Sequence, residues 1–442
     1  MAGSLNPALL GAATRAPVIG ALSMVAGRLP TIWLPARHPA YHGELGMKWA
    51  VAAALPQQQL IDAVAISIPT HCVDGWTFAA RSISALLAGD AHGARHMAYY
   101  AQLRAGLCLL SNMGVGLFNG LNFVVTGPNT ISRIDPGTTA KAAKGKGVGT
   151  HEIVWRALDT WSADPVQSQL FLDLIRFQGV PLRDALESLW PGFMQVATVG
   201  QIIRSWGVDL KRGLEEKNSR NTSSYAAHSL NPIKNSVPAT LRFIEQTWRL
   251  FEPSGSAGFD ELDRHLIRSI FVQQHEITSP GQDIAAGAIA NRYDQLPGAI
   301  RHMCQRDFLL GHREPVRLEL LRLAGVKALP ASPLHMLARA LLLLRTATAF
   351  THTSLIEAGV DTANGALRPW FDDLALRRGF WPASDPMNDL VGLWEEAQFA
   401  IQDLAASRSP SPPDLATWKR INNNGAPIIA EAERVAMWSL SA

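Results

Sequence analysis

Residues 76–113 read WTFAARSISALLAGDAHGARHMAYYAQLRAGLCLLSNM. The first twelve place Trp76, Ala79, Ala80, Ile83 and Leu87 at helical spacing, which makes one apolar stripe of 3.6-residue period. Gly89-Asp90 interrupts it, because glycine disfavours a helix interior and aspartate favours the N-cap of the next helix. A second helix is then expected from about Ala91 to Met113. Two apolar rods with so short a joint lie as antiparallel neighbours. This helical hairpin sets the expected class: an all-α, multi-helical protein of about a dozen or more helices with few or no strands.

Outward from the hairpin the helical period recurs at 151–161, 165–177, 182–190, 198–210, 241–251, 259–274, 285–294, 315–324, 333–358, 387–406 and 426–438. Strand signals are confined to 122–125 (NFVV) and 66–68 (ISI). In 127–150 the apolar pattern gives way to glycine, proline, threonine and the cations Arg133, Lys141, Lys144 and Lys146. A loop of that length within a compact protein is usually functional or mobile. The expected organisation is an N-terminal helical region over 1–126, this basic glycine-rich loop over 127–150, a central helical region over 151–252 and a C-terminal one over 253–442. A provisional boundary falls near Pro253, and 407–413 (SRSPSPP) reads as a polar linker.

Composition narrows the function classes. Of 442 residues 47% are hydrophobic and 17% charged, which excludes a disordered or collagen-like chain. A net charge of +3, from 40 basic and 37 acidic residues, is too balanced to argue for nucleic-acid binding from charge alone. So few charges leave apolar surface to cover, and a protein partner or a homo-oligomer is expected. Cys72, Cys108 and Cys304 form no CxxC, so neither a disulfide framework nor a zinc ribbon is expected, and a reducing, cytoplasmic setting fits. Apolar windows are broken before about 20 residues, so no membrane segment is expected. The stretch 16–27 has the length of a signal-peptide core but reads as a buried helix.

Several motifs exclude cofactors and metals. KGKGVGT (144–150) lacks the lysine directly before Thr150 that would reach a nucleotide's terminal phosphates. GVGLFNG (114–120) follows a helix rather than a strand, so it does not read as a dinucleotide site. His92 and His96 share a helix face but have no third ligand indicated nearby, so no metal site is expected.

Polar groups inside the hairpin are more informative. It carries Arg81, Asp90, Arg95, His96, Tyr99, Tyr100 and Arg104, with His96, Tyr100 and Arg104 at i, i+4 and i+8 along one stripe. Such groups are costly to bury unless paired with one another or with a ligand. Either the stripe is an internal ion network with Asp90 or Glu152 as its acid, or it is an anion or phosphate pocket with His96 as general acid/base. His151 and Glu152, at the start of the next helix, belong to the ligand-binding candidates with Arg81, Arg95 and Tyr100. A second constellation, KNSRNTSSY (217–225), carries Arg220-Asn221; it is either a ligand-binding pair at a helix start or a solvated loop.

Two segments, AGDAHGARHMAYYAQLRA (88–105) and SRNTSSY (219–225), resemble HEPN-like all-helical bacterial proteins, in which an arginine followed by Asn, Asp or His opens a ribonuclease motif. That resemblance implies a component of a bacterial defence or toxin module, with an arginine and, after four to six intervening residues, a histidine that face a dimer cleft and activate the RNA 2′-hydroxyl. Arg220 departs from the pattern, since seven residues separate it from His228. Arg37/His42, Arg268/His275, Arg345/His352 and Arg306/His312 meet the spacing, and RDFLLGH (306–312) is most similar. The candidate catalytic residues are therefore His96, Arg104, Arg220, Asn221, Arg306 and His312. The resemblance implies a helical subunit of a defence or toxin-type complex that binds RNA or another phosphate-bearing ligand. A HEPN-type metal-independent ribonuclease and a non-catalytic scaffold or adaptor are the alternatives.

Overall fold

The computed structural model describes residues 5–26, 38, 54–134, 149–192, 198–225, 233, 236–254, 258–283, 290–310, 318–361, 367–387, 389–406 and 414–441. Helices dominate, and the strands named among the described residues form one three-stranded and one two-stranded sheet. Six helices frame the core and the site: α1 (Gln57–Leu87), α2 (Ala91–Asn112), α3 (Thr150–Ser162), α4 (Gly213–Tyr225), α5 (Asp260–Thr278) and α6 (Pro333–Glu357).

α1 and α2 are the arms of the expected hairpin. Asp90 caps α2, its side chain accepting from the Gly93 amide at 2.7 Å. The first arm begins well before Trp76, and residues 66–68, read as a strand, lie inside it. β-branched residues there face a packed interior, with Ile61, Val64, Ala65 and Ile68 all buried at helical spacing, so tertiary burial overrides local strand propensity.

α6 lies along both arms as a central rod. Its own hydroxyls join it to them: Trp76 Nε1 donates to Thr348 Oγ1 at 3.0 Å, and Ser354 Oγ donates to Asn112 Oδ1 at 2.6 Å. From α2, Gln102 Nε2 donates to the Met336 carbonyl at 2.8 Å. Gly75 makes the approach possible, because a Cβ there would stand 2.5 Å from Leu344 Cδ2. Two arginines within this rod are sealed from solvent and paired with carboxylates. Arg339 meets Glu216 at 2.6 Å, and Arg345 grips both oxygens of Asp263 at 2.8 and 2.7 Å. No helix among the described residues is long and apolar enough to cross a membrane.

Three departures from the sequence reading have local causes. The glycines of 114–120 form β1 (Val115–Phe118) and its turn; β2 (Leu121–Gly127), which contains the expected strand 122–125, and β3 (Thr130–Arg133) complete an antiparallel meander. The turn is the Asn119-Gly120 pair, both at positive φ, which is the geometry of a tight hairpin. The expected loop from 127 thus opens as a turn and β3, and Lys141, Lys144 and Lys146 lie outside the described residues. The stretch 217–225, read as a helix start or a solvated loop, forms the later part of helix α4. The expected helix over 426–438 is two, Gly425–Ala430 and Arg434–Ser441. One buried apolar cluster runs from Leu10 to Leu440, and chain on both sides of Pro253 contributes to it.

Candidate anion-binding site

α4 has no apolar stripe, and its packing face is polar. Glu216, Ser219, Arg220 and Ser223 are buried at i, i+3, i+4 and i+7. Gly213 lets the helix begin directly over Trp155 of α3, since a Cβ there would stand 2.0 Å from the indole Cδ2. Glu216 is held by Arg339, which fixes the helix rotation and turns Arg220 toward α2 and α3. Arg220 is therefore among the last turns of a helix rather than at a helix start or in a solvated loop.

The Arg220 guanidinium sits at the meeting point of three helices. Nη2 donates to Tyr100 Oη at 3.2 Å and to His151 Nε2 at 3.3 Å, and Nη1 donates to Asn221 Oδ1 at 2.9 Å. Its carbon lies 5.3 Å from the Tyr99 ring centre and 5.2 Å from that of Tyr100, within cation–π range. Nε is buried and has no partner among the described residues. His151 stands in the first turn of α3. Because its Nε2 accepts from Arg220, its proton belongs on Nδ1, where it faces Tyr99 Oη at 3.3 Å.

α2 adds a row of contacts with the end of α4. His96 Nδ1 lies 2.6 Å from Ser224 Oγ, which donates to the Arg220 carbonyl. The imidazole therefore donates from Nδ1 and leaves Nε2 as an acceptor. One turn earlier, His92 Nδ1 and Arg95 Nη1 both reach Ser223 Oγ, at 3.3 and 3.2 Å. On the other side Phe78 stacks on Tyr100 at 5.2 Å, and the exposed Arg81 covers Phe78 at 5.5 Å.

The electrostatics follow from this crowding. Burial, then Arg220, Lys217, Arg104 and His96, hold His151 down to about 4. Burial and then Arg220 lower His96 as well. Burial pushes the Tyr99 phenol up to about 12. Both imidazoles are accordingly neutral near pH 7. Among the described residues no carboxylate lies within 4 Å of Arg220, Arg95, His96 or His151. Asp90 is spent on its helix cap, and Glu152 pairs with Arg156 at 2.6 Å, so neither acid expected for an internal network serves this cluster.

Comparison with known protein families, curated proteins and solved structures returns no match. The site therefore rests on its own geometry.

The structure brings His96, Tyr100, His151, Arg220 and Asn221 together, with Arg95 and Arg81 at its edges. Arg104 is held apart by other partners: it donates to His71 Nδ1 at 2.9 Å and meets Asp74 at 3.4 Å. Arg306 contacts Ala290, Tyr293 and Asp294, while His312, His228 and the pair Arg37/His42 lie outside the described residues. Arg345 is bound by Asp263, and His275 Nε2 contacts the Gln282 carbonyl at 2.9 Å. The imidazole that reaches Arg220, His151, comes from another helix, not from an Arg-to-His spacing along one. Phe78 was not legible as a site residue, and Ser223 and Ser224 were legible only as part of the candidate stretch 217–225.

Proposed function

We propose that this chain binds RNA through a phosphate at the Arg220 cluster, as an RNA-binding helical subunit of a bacterial defence or toxin-type assembly. One observation carries the reading: a guanidinium with an unpartnered buried Nε, and a second arginine nearby, stand with two imidazoles and two phenols where no described carboxylate neutralises them. Buried cationic groups without an acid are costly, and a docked anion removes that cost. The aromatic groups Tyr100 and Phe78 beside Arg220 favour a nucleic acid over a bare inorganic anion, because bases stack on such rings and on guanidinium planes. The test is fluorescence anisotropy of a labelled single-stranded RNA with the intact protein. Arg220→Ala should weaken binding about tenfold or more, the scale of a lost charge-assisted hydrogen bond. Equal binding by both proteins refutes the assignment, and no binding by either favours the scaffold role.

A second reading, metal-independent RNA cleavage, is favoured by the His96 imidazole, whose Nε2 is left free to accept a proton. It predicts cleavage in the presence of a chelator that is lost on His96→Ala. Cleavage that requires magnesium, or none at all, rejects it.

A further inference from the structure

A cavity of about 470 Å³ opens at the C-terminal end of α3, between it, the short helix Pro7–Gly11 and the helix Val199–Ser205. Its volume lies in the range of small-molecule sites. It stands at the far end of α3 from His151, roughly 16 Å along the axis, so it is separate from the Arg220 cluster. Two glycines keep it open. A Cβ at Gly200 would stand 3.1 Å from Ser162 Oγ and 3.6 Å from Arg204 Nη2, and a Cβ at Gly11 would stand 3.1 Å from Asp164 Oδ2. A side chain at either position would crowd polar groups that line the cavity.

Gln167 lines the cavity and is only 5% exposed. Trp161 Nε1 donates to its amide oxygen at 3.1 Å. An indole N–H can only donate, so it fixes which way the amide faces and leaves the amide NH2 with no partner among the described residues. The charged groups are unspent as well. Among the described residues Arg204 and Lys211 have no carboxylate within 4 Å, and Asp159 and Asp164 have no cation within 4 Å, although all four line this one cavity. Asp164 accepts from the Val166 amide through Oδ1 at 2.9 Å, which leaves Oδ2 available. Opposite charges that share a cavity without meeting match a ligand that carries both. We propose that this cavity binds a free α-amino acid, with its carboxylate at Arg204 and Lys211 and its ammonium at Asp159 and Asp164. The arginine gives the carboxylate charge-assisted hydrogen bonds, and the Gln167 amide supplies a further donor. The negative end of the α3 dipole adds to the two acids in holding the ammonium.

Isothermal titration of the full chain with each of the standard L-amino acids tests it. At least one should bind saturably and one-to-one. That amino acid should bind at least about tenfold more tightly than its carboxamide, which lacks the negative charge, and than its N-acetyl derivative, which lacks the positive one. These blocked ligands test the wild-type protein directly, without any substitution. Arg204→Glu and Asp159→Lys should each weaken the free amino acid by about tenfold or more. Neither side chain is buried or bonded elsewhere among the described residues, so both variants should keep the parent melting temperature. Absence of saturable binding by any amino acid, equal binding of the blocked forms, or indifference to either charge reversal overturns the proposal.

Discussion

His151 gives the Arg220 cluster a measurable acid limit. In the fold its pKa drops from 6.5 to about 4, first through burial and then through Arg220. At about 1.4 kcal/mol per pH unit this corresponds to about 3.4 kcal/mol, and solvent screening of a half-buried ring cuts it to about 1.7 kcal/mol. The sign follows from proton counting. Between pH 6.5 and 4 the unfolded chain binds a proton that the folded chain does not, so stability falls as pH falls through that window. Above pH 6.5 both states are neutral at this site and the contribution is complete. The perturbation is His151→Gln, which keeps a polar group of similar reach but does not titrate. Urea denaturation at pH 7.5 and pH 4 should show the wild type losing about 1–2 kcal/mol more than the variant between the two values. His71, lowered to about 3, and His335, lowered to about 4, both half-buried, contribute acid sensitivity of their own, and the difference between the two proteins removes them. An identical acid loss in both proteins would refute the reasoning, because it would mean that the ring keeps its ordinary pKa beside Arg220.

Arg345→Met removes both arginine hydrogen bonds to Asp263, a carboxylate with no solvent exposure that keeps only the Phe259 amide, and should cost about 3–5 kcal/mol in urea unfolding. The double variant Asp263→Leu/Arg345→Met should regain most of that loss, and a single-variant cost under about 1 kcal/mol would mean that water solvates the pair. Arg104→Ala should weaken RNA binding far less than Arg220→Ala, because its guanidinium is bonded to His71 and Asp74 and reaches the Arg220 cluster only through its field at His151; an anisotropy titration showing a loss comparable to that of Arg220→Ala would reverse this assignment.

The hairpin, its Asp90 cap and the long buried rod α6 were legible because each carries an apolar stripe or a recognisable cap. The polar stripe at His96 and Tyr100 was legible for the opposite reason, as polar groups interrupting an apolar helix. Arg104 shares that spacing yet points to different partners, because equal spacing on one helix says nothing about what α1 presents opposite it. α4 was hidden because its buried face is made of Glu216, Ser219, Arg220 and Ser223, and no apolar period marks it. His151 met Arg220 only through tertiary packing, which depends on Gly213 admitting Trp155 beneath α4. The β1–β3 meander carried its signal in Asn119-Gly120, a turn pair obscured by the glycine spacing around it.

The most direct measurement follows the His151 imidazole by NMR through a pH titration, with and without saturating single-stranded RNA. A phosphate docked at Arg220 adds negative charge beside both imidazoles, so the account predicts that the His151 pKa rises from about 4 by at least about one pH unit when RNA is bound, and that Arg220→Ala abolishes the rise. A His151 titration that is the same with and without RNA would contradict the claim that this cluster holds the anion.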